Sequence, residues 1–327
     1  MKKIIVLTTD GIIWNKEKFL IDLTVAMAQS EKIQIDFNTE GPDLRSLNIY
    51  DYIEDIAGQT GYDLSQLTII TGNVCEHHPT VKLSKRFPWM YTNWGKENCL
   101  QLPQPKVFDH NFKTAALFVS RSNWNRLKLS SYFFKNHPSK ILQSYHYDHT
   151  SAYHNDNIGV ENLIKNNYIN RLEDVTNLWN HCPLTLDEIY QYPIVNPTGY
   201  SLIDNYQHFF VEIVMETYSM GDTFFPTEKI WRPISQLTPF MVQGPQWYIV
   251  RLRKLGFKTF ENWWDEGYSE DHYASQSDQI EKNIDHLTTL KPAELEQLYK
   301  DMMPTLEHNR NRLMTLTLQE IEQALTL

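Results

Sequence analysis

The sequence predicts an α/β protein built as two facing Rossmann-like domains with a cleft between them. Two observations carry this. Short apolar runs alternate with stretches of helical spacing, the mark of a wound sheet rather than a hairpin fold. The pattern then halts in a proline-interrupted, aromatic-rich stretch from Pro79 to Pro105 and restarts near residue 115. At 327 residues the chain has the length of two domains with ordinary cores. Leu102-Pro103-Gln104-Pro105 favours extended chain, which places the boundary at 108. Residues 1–108 form the first domain and 109–327 the second.

In the first half, Lys3–Thr8 reads as a buried strand, followed by Asp10. Phe19, Leu20, Leu23, Met27 and Ala28 recur at helical spacing. Lys32–Phe37 and Leu67–Thr71 are the next strands. In the second half, Ala115–Ser120 is a strand, with Asn123-Trp124-Asn125 capping a helix that runs to Phe134. Lys140–Tyr145 is a strand, a short helix covers 171–179, and Phe209–Glu216 is a strand carrying Glu212 and Glu216. A helix over 226–236 and a strand at Thr238–Gln243 follow. Tyr248–Gly256 is a helix stopped by glycine. Lys258–Phe260 reads as a short strand, and 277–327 is helical, with Leu295, Leu298, Tyr299, Met302 and Leu306 on one stripe.

Composition excludes several classes. Hydrophobic residues are 41% and charged residues 21%, the balance of a globular chain. Net charge is −10, the wrong sign for a dedicated polyanion binder. Nucleic acid is therefore the least favoured partner, with modified DNA kept only as an acceptor. Cys75, Cys99 and Cys182 form no disulfide framework, which fits a reducing compartment. The apolar stretch Ile4–Leu7 is too short for a signal-peptide core, and no run approaches the ~20 residues of a membrane span. A cytoplasmic protein is expected, with a peripheral place at a membrane surface left open.

The strongest local signal is Thr227-Glu228-Lys229, preceded by Phe224-Phe225-Pro226. Thr227 is an N-cap candidate, and a helix start offers unpaired N–H groups and a positive dipole end. A lysine in that first turn opposes the dipole. It becomes useful if a diphosphate sits there, while a neighbouring carboxylate holds a ribose diol. The plain alternative is a surface helix with charges in its first turn.

The order from Phe209 to Gly244 is strand, acidic end, Thr-Glu-Lys helix, then a strand ending in glycine. This resembles the donor-binding signature of the family 10 glycosyltransferases, the α1,3/4-fucosyltransferases of the GT-B fold. Phe118-Val119-Ser120 with Asn123 and Arg126 is similar to that family's strand, Ser-Asn turn and arginine-bearing helix. Thr71-Gly72-Asn73 is similar to the end of its acceptor domain. Thr217 stands where the family has asparagine, and Phe225 where it has tyrosine.

The resemblance implies an inverting glycosyltransferase that takes a fucose-like sugar from a nucleoside-diphosphate donor, GDP-linked by preference. The acceptor would be a glycan, a lipid-linked sugar or another hydroxyl compound. Lys229 and Arg126 would contact the diphosphate and Glu228 the ribose. Ser120, Asn123, Glu216, Phe225 and Thr227 would complete the donor site, with no metal or other cofactor required. The general base would be a first-domain carboxylate in the loop Asn73-Val74-Cys75-Glu76-His77-His78: Glu76, with His77 in reserve. Asp10, after the first strand, could instead touch the acceptor, with plain helix capping as the favoured role for it.

Two rival readings remain. His146-Tyr147-Asp148-His149 with His154 and Asp156 supplies ligand types for a metal-dependent hydrolase, at a spacing that matches no ligand pattern. A non-catalytic, carbohydrate-binding GT-B scaffold is the other.

Overall fold

The structure, a computed structural model, describes residues 1–9, 12–13, 15–29, 31–37, 40–119, 124–145, 171–186, 200–219, 221–270 and 273–325. It contains two four-stranded parallel sheets flanked by helices, as two facing Rossmann-like domains, an architecture compatible with GT-B folds.

The first sheet comprises β1 (Lys2–Ile5), β4 (Ile33–Asp36), β5 (Leu67–Thr71) and β6 (Lys82–Lys85), in that spatial order. Between β1 and β4 a small antiparallel pair, β2 (Thr8–Thr9) and β3 (Ile12–Ile13), precedes helix α1 (Lys16–Ala28). Ile4, Ile35 and Ile69 stand in register across three strands. Phe19, Leu23 and Met27 of α1, and Ile49 and Ile53 of α2 (Ile49–Thr60), close the core around them. Each of these fully buried side chains is worth about 1.5–3 kcal/mol of transfer free energy.

Helix α3 (Trp89–Asn98) follows this sheet but buries Trp94 in the other core. Gly95 lies against Trp231, where a Cβ would come within 2.7 Å of the tryptophan Cβ. The chain therefore joins the second core well before residue 108.

The second sheet comprises β7 (Lys113–Val119), β8 (Ile141–Tyr145), β9 (Phe209–Met215) and β10 (Phe240–Gln243), ordered β10-β9-β7-β8. Every residue of β9 is buried, as its continuous apolar run requires of a strand covered on both faces. From β7 the chain leaves through α4 (Trp124–Asn136) to β8 on one side. After α5 (Leu172–His181) it returns to β9 on the other side of β7. The crevice at the carboxyl ends of β7 and β9 is thus a topological switch point, where open α/β sheets bind ligands.

The remaining helices are α6 (Glu228–Ser235), α7 (Tyr248–Lys254), α8 (Tyr273–Thr288), α9 (Pro292–Thr315) and α10 (Leu318–Leu325). Arg310 of α9 donates to the carbonyls of Cys99 and Gln101 at 2.7 Å each, tying the C-terminal helices to the crossover segment. Lys258–Phe260, expected as a strand, is extended chain outside any sheet. Its backbone is taken up by side chains instead. Asn309 accepts from Lys258 N at 2.7 Å and donates to Lys258 O at 2.8 Å, while Glu266 accepts from Phe260 N at 2.9 Å. Among the described residues no helix is long and apolar enough to cross a membrane.

Candidate functional site

The Thr-Glu-Lys segment opens α6 as its sequence foretold. Thr227 is the N-cap, in extended conformation, and its hydroxyl accepts from Lys229 N at 3.4 Å. Such a cap contributes about 1 kcal/mol. The Thr227 hydroxyl also donates to Glu216 Oε2 at 2.8 Å, and Tyr248 donates to Glu216 Oε1 at 2.6 Å. Glu216 is thereby enclosed at the end of β9. Burial pushes its carboxyl above the usual range, against the pull of Lys229. It anchors the helix start and has little surface left for a ligand.

Lys229 is the cation of the group. Its Nζ donates to Glu228 Oε1 at 3.0 Å, Thr227 Oγ1 at 3.1 Å and Thr217 Oγ1 at 3.2 Å, and the side chain is 15% exposed. Burial works against the Glu228 charge, but Lys229 and Arg232 outweigh it and hold that carboxyl below its ordinary range. A charged pair with two hydroxyls at a helix N-terminus can exchange its internal hydrogen bonds for those of a phosphate and a diol.

Arg126 reaches the same place from α4. Its Nη2 donates to Glu216 O at 3.1 Å and to Met215 O at 3.3 Å. The guanidinium thus spans from the helix after β7 to the end of β9, across the switch point. The helix itself is held to the sheet by Arg232, which donates to Glu212 Oε1 at 3.1 Å, while Tyr206 donates to Oε2 of the same carboxylate. Ser120 and Asn123 lie outside the described residues, as do Asp10 and the whole His146–Asp156 run. Among the described residues no three His, Cys, Asp or Glu side chains converge as a metal set.

The first-domain candidates occupy a different setting. Glu76 is 4% exposed, and its Oε2 accepts from Leu44 N at 3.0 Å and Asn73 Nδ2 at 3.3 Å. Burial raises its carboxyl, and the Leu44 amide opposes that rise. His77 is exposed, and its carbonyl accepts from Arg45 at 3.1 Å. Asn73 connects this loop to the second domain. Its Nδ2 donates to Asp222 O at 3.0 Å and its Oδ1 accepts from Phe224 N at 3.3 Å.

Phe225 belongs to the same seam. It is buried edge-on between Tyr218 and Tyr91, with ring centroids 5.7 and 6.4 Å away. The loop from Glu216 to Thr227 is therefore shared. One end carries Thr217 and Lys229's other partners, and its middle packs on the first domain.

The expected donor residues Arg126, Glu216, Thr227, Glu228 and Lys229 do meet at one place. Sequence reasoning marked Thr217 only as a departure from the family pattern and passed over Tyr218 and Tyr248 as site residues, although all three hold this group together, and it passed over Glu40, which Tyr218 contacts across the seam at 2.8 Å. The only signal for the first three was proximity to Glu216 and the strand ends. No protein-family model, curated protein or solved structure matches the chain.

Proposed function

We propose that the chain is a sugar-nucleotide-dependent glycosyltransferase acting by inversion, with the first sheet on the acceptor side and the second sheet on the donor side. The observation that carries this reading is the convergence of Lys229, Glu228 and Arg126 at a helix start beside a topological switch point. A nucleoside diphosphate fits that chemistry. Lys229 and the α6 amides would take phosphate oxygens, Arg126 would add a guanidinium, and Glu228 would accept from the ribose diol. The Thr-Glu-Lys motif favours a GDP-linked, fucose-like donor, and a glycan, lipid-linked sugar or other hydroxyl compound would accept it.

Two interactions supply the rate. Binding the nucleotide fixes the sugar against the acceptor. Cations then stabilise charge as it builds on the leaving diphosphate, more strongly than in the ground state. Glu76 would order the 73–77 loop from within the seam, a role its buried, hydrogen-bonded carboxylate suits better than proton transfer.

Thermal shift against GDP, UDP, ADP and CMP tests this. A nucleotide at 100 times its dissociation constant adds about 2.7 kcal/mol of stability, and GDP is expected to give the largest shift. Lys229→Ala and Arg126→Ala should reduce it at the same nucleotide concentration. If no nucleotide at millimolar concentration moves the melting temperature, the reading fails.

A further inference from the structure

We propose that Asn73 is a positioning residue for the nucleotide site: from the first domain it sets the start of α6, so that nucleotide binding and docking of the two domains are coupled. The assignment rests on the glycosyltransferase reading and deepens it.

Asn73 is fully buried just beyond the end of β5, and its amide is used in both directions. Its Oδ1 accepts from Cys75 N at 3.0 Å in its own loop and from Phe224 N at 3.3 Å in the other domain. Its Nδ2 divides in the same way, donating to Glu76 Oε2 at 3.3 Å and to Asp222 O at 3.0 Å. Backbone N–H groups lie on one side and oxygens on the other. An asparagine amide satisfies both, and an aspartate would not.

The residues around Phe224 are gripped from the same domain. Asp43 Oδ2 accepts from Asp222 N at 2.7 Å, and Thr223 Oγ1 donates to Gly41 O at 2.5 Å. Gly221, just before them, has φ 73°, and a Cβ there would lie 1.9 Å from Asp43 Oδ2. Three consecutive residues of the second domain, Asp222 to Phe224, are thus held by the first. Arg251 of α7 donates to Thr223 O at 3.0 Å and fixes the same turn from its own domain.

The two ends of this loop are the donor group itself. Thr227 donates to Glu216 Oε2 at 2.8 Å, and Lys229 Nζ donates to Thr217 Oγ1 at 3.2 Å. Only two residues separate Phe224 from the Thr227 cap. Phe225 is pressed against Gly41 and flanked by Tyr218 and Tyr91, and the ring of Pro226 fixes its φ. That segment has little slack, so a shift of the tip moves the cap, and with it Glu228 and Lys229. By linkage, docking favours the nucleotide by the same factor as the nucleotide favours docking.

The test uses the full chain with GDP, or whichever of UDP, ADP and CMP gives the largest thermal shift. Calorimetric titration should show Asn73→Ala binding about tenfold more weakly, within the usual range of coupling between two sites. Thr223→Val, which removes the hydroxyl from the loop tip, should also bind more weakly, while Thr223→Ser, which keeps it, should bind as the wild type does. Ile33→Val lies in the first core at the amino end of β4. It should lower the melting temperature and leave affinity unmoved, which separates positioning from loss of stability. Hydrogen exchange of the wild-type chain needs no variant. The Asp222 and Phe224 amides donate across the seam, and saturating nucleotide should slow their exchange by about tenfold. The proposal is overturned if nucleotide leaves both amides unchanged, if folded Asn73→Ala or Thr223→Val binds normally, or if Ile33→Val weakens binding as much as they do. If the wild-type protein binds none of the four nucleotides, the glycosyltransferase reading falls, and the coupling with it. Wild-type binding with normal affinity in the seam variants overturns the coupling alone.

Discussion

Gly41 and the Phe225 ring are in such close contact that a Cβ on Gly41 would meet Cδ2 at 2.4 Å and Cγ at 2.8 Å. This is where the loop after β4 presses on the loop before α6. Thr223 Oγ1 donates to Gly41 O at 2.5 Å beside it, so the backbone has little freedom to withdraw. Phe225 cannot swing aside either, with Tyr218 and Tyr91 at its flanks. Gly41→Ala should destabilise the protein by about 1–3 kcal/mol, the usual range for overpacking. Urea unfolding checks it. A change under 0.5 kcal/mol would mean the seam is looser than these contacts indicate.

Lys229→Ala should weaken nucleotide binding about 10- to 100-fold, the loss of one or two charge-assisted hydrogen bonds. Turnover should fall further, because leaving-group charge is larger in the transition state. Thr227→Ala should cost about 1 kcal/mol of stability through the cap, and a smaller share of affinity. Calorimetric titration with GDP separates the two variants. Normal affinity in Lys229→Ala would remove the diphosphate from this helix.

Glu76 gives the opposite pattern. Its raised carboxyl lives among donors, so Glu76→Gln retains an acceptor oxygen and should change stability little. Glu76→Ala strips the Leu44 amide and Asn73 of their acceptor and should cost about 1–3 kcal/mol. Neither should alter the rate more than a few-fold once the protein is folded. A hundredfold slower Glu76→Gln that remains fully folded would return the base to Glu76.

The buried setting of Glu76 shows how little of a site's packing a sequence can carry. The parallel strands other than β6 were legible because each carries a short apolar run, and Thr227-Glu228-Lys229 because capping chemistry is local. Helices α2 and α3 and strand β6 were passed over. α3 sits inside the proline-interrupted stretch, and its contact of Gly95 on Trp231 joins residues far apart in the chain. Lys258–Phe260 misled for a related reason: its extended backbone pairs with Asn309 and Glu266 side chains, and no alternation pattern records that.

The linker after α3 contains a lysine whose titration can be followed. Lys106 is half-buried, its Nζ donating to Tyr206 O at 2.8 Å, Phe209 O at 2.7 Å and Thr238 Oγ1 at 3.1 Å. Burial pushes its ammonium down to about 7, although Glu212 nearby pulls the other way. In the unfolded chain a lysine titrates near 10.4. Between those two values the unfolded state holds a proton that the folded state has released, so stability rises with pH at up to about 1.4 kcal/mol per unit. The contribution is complete above the unfolded value and is lost as pH falls toward 7. The neutral amine still has two N–H groups for the two carbonyls, so the fold keeps its contacts on either side of the transition. Lys106→Met should flatten this slope and lower stability at pH 9, where two carbonyls lose their donor. Urea unfolding of both proteins from pH 6.5 to 9.5 isolates the effect, because every other group titrates alike in the pair. If the variant gains stability with pH as steeply as the parent, Lys106 is charged in the folded protein, and the linker is held by an ammonium rather than an amine.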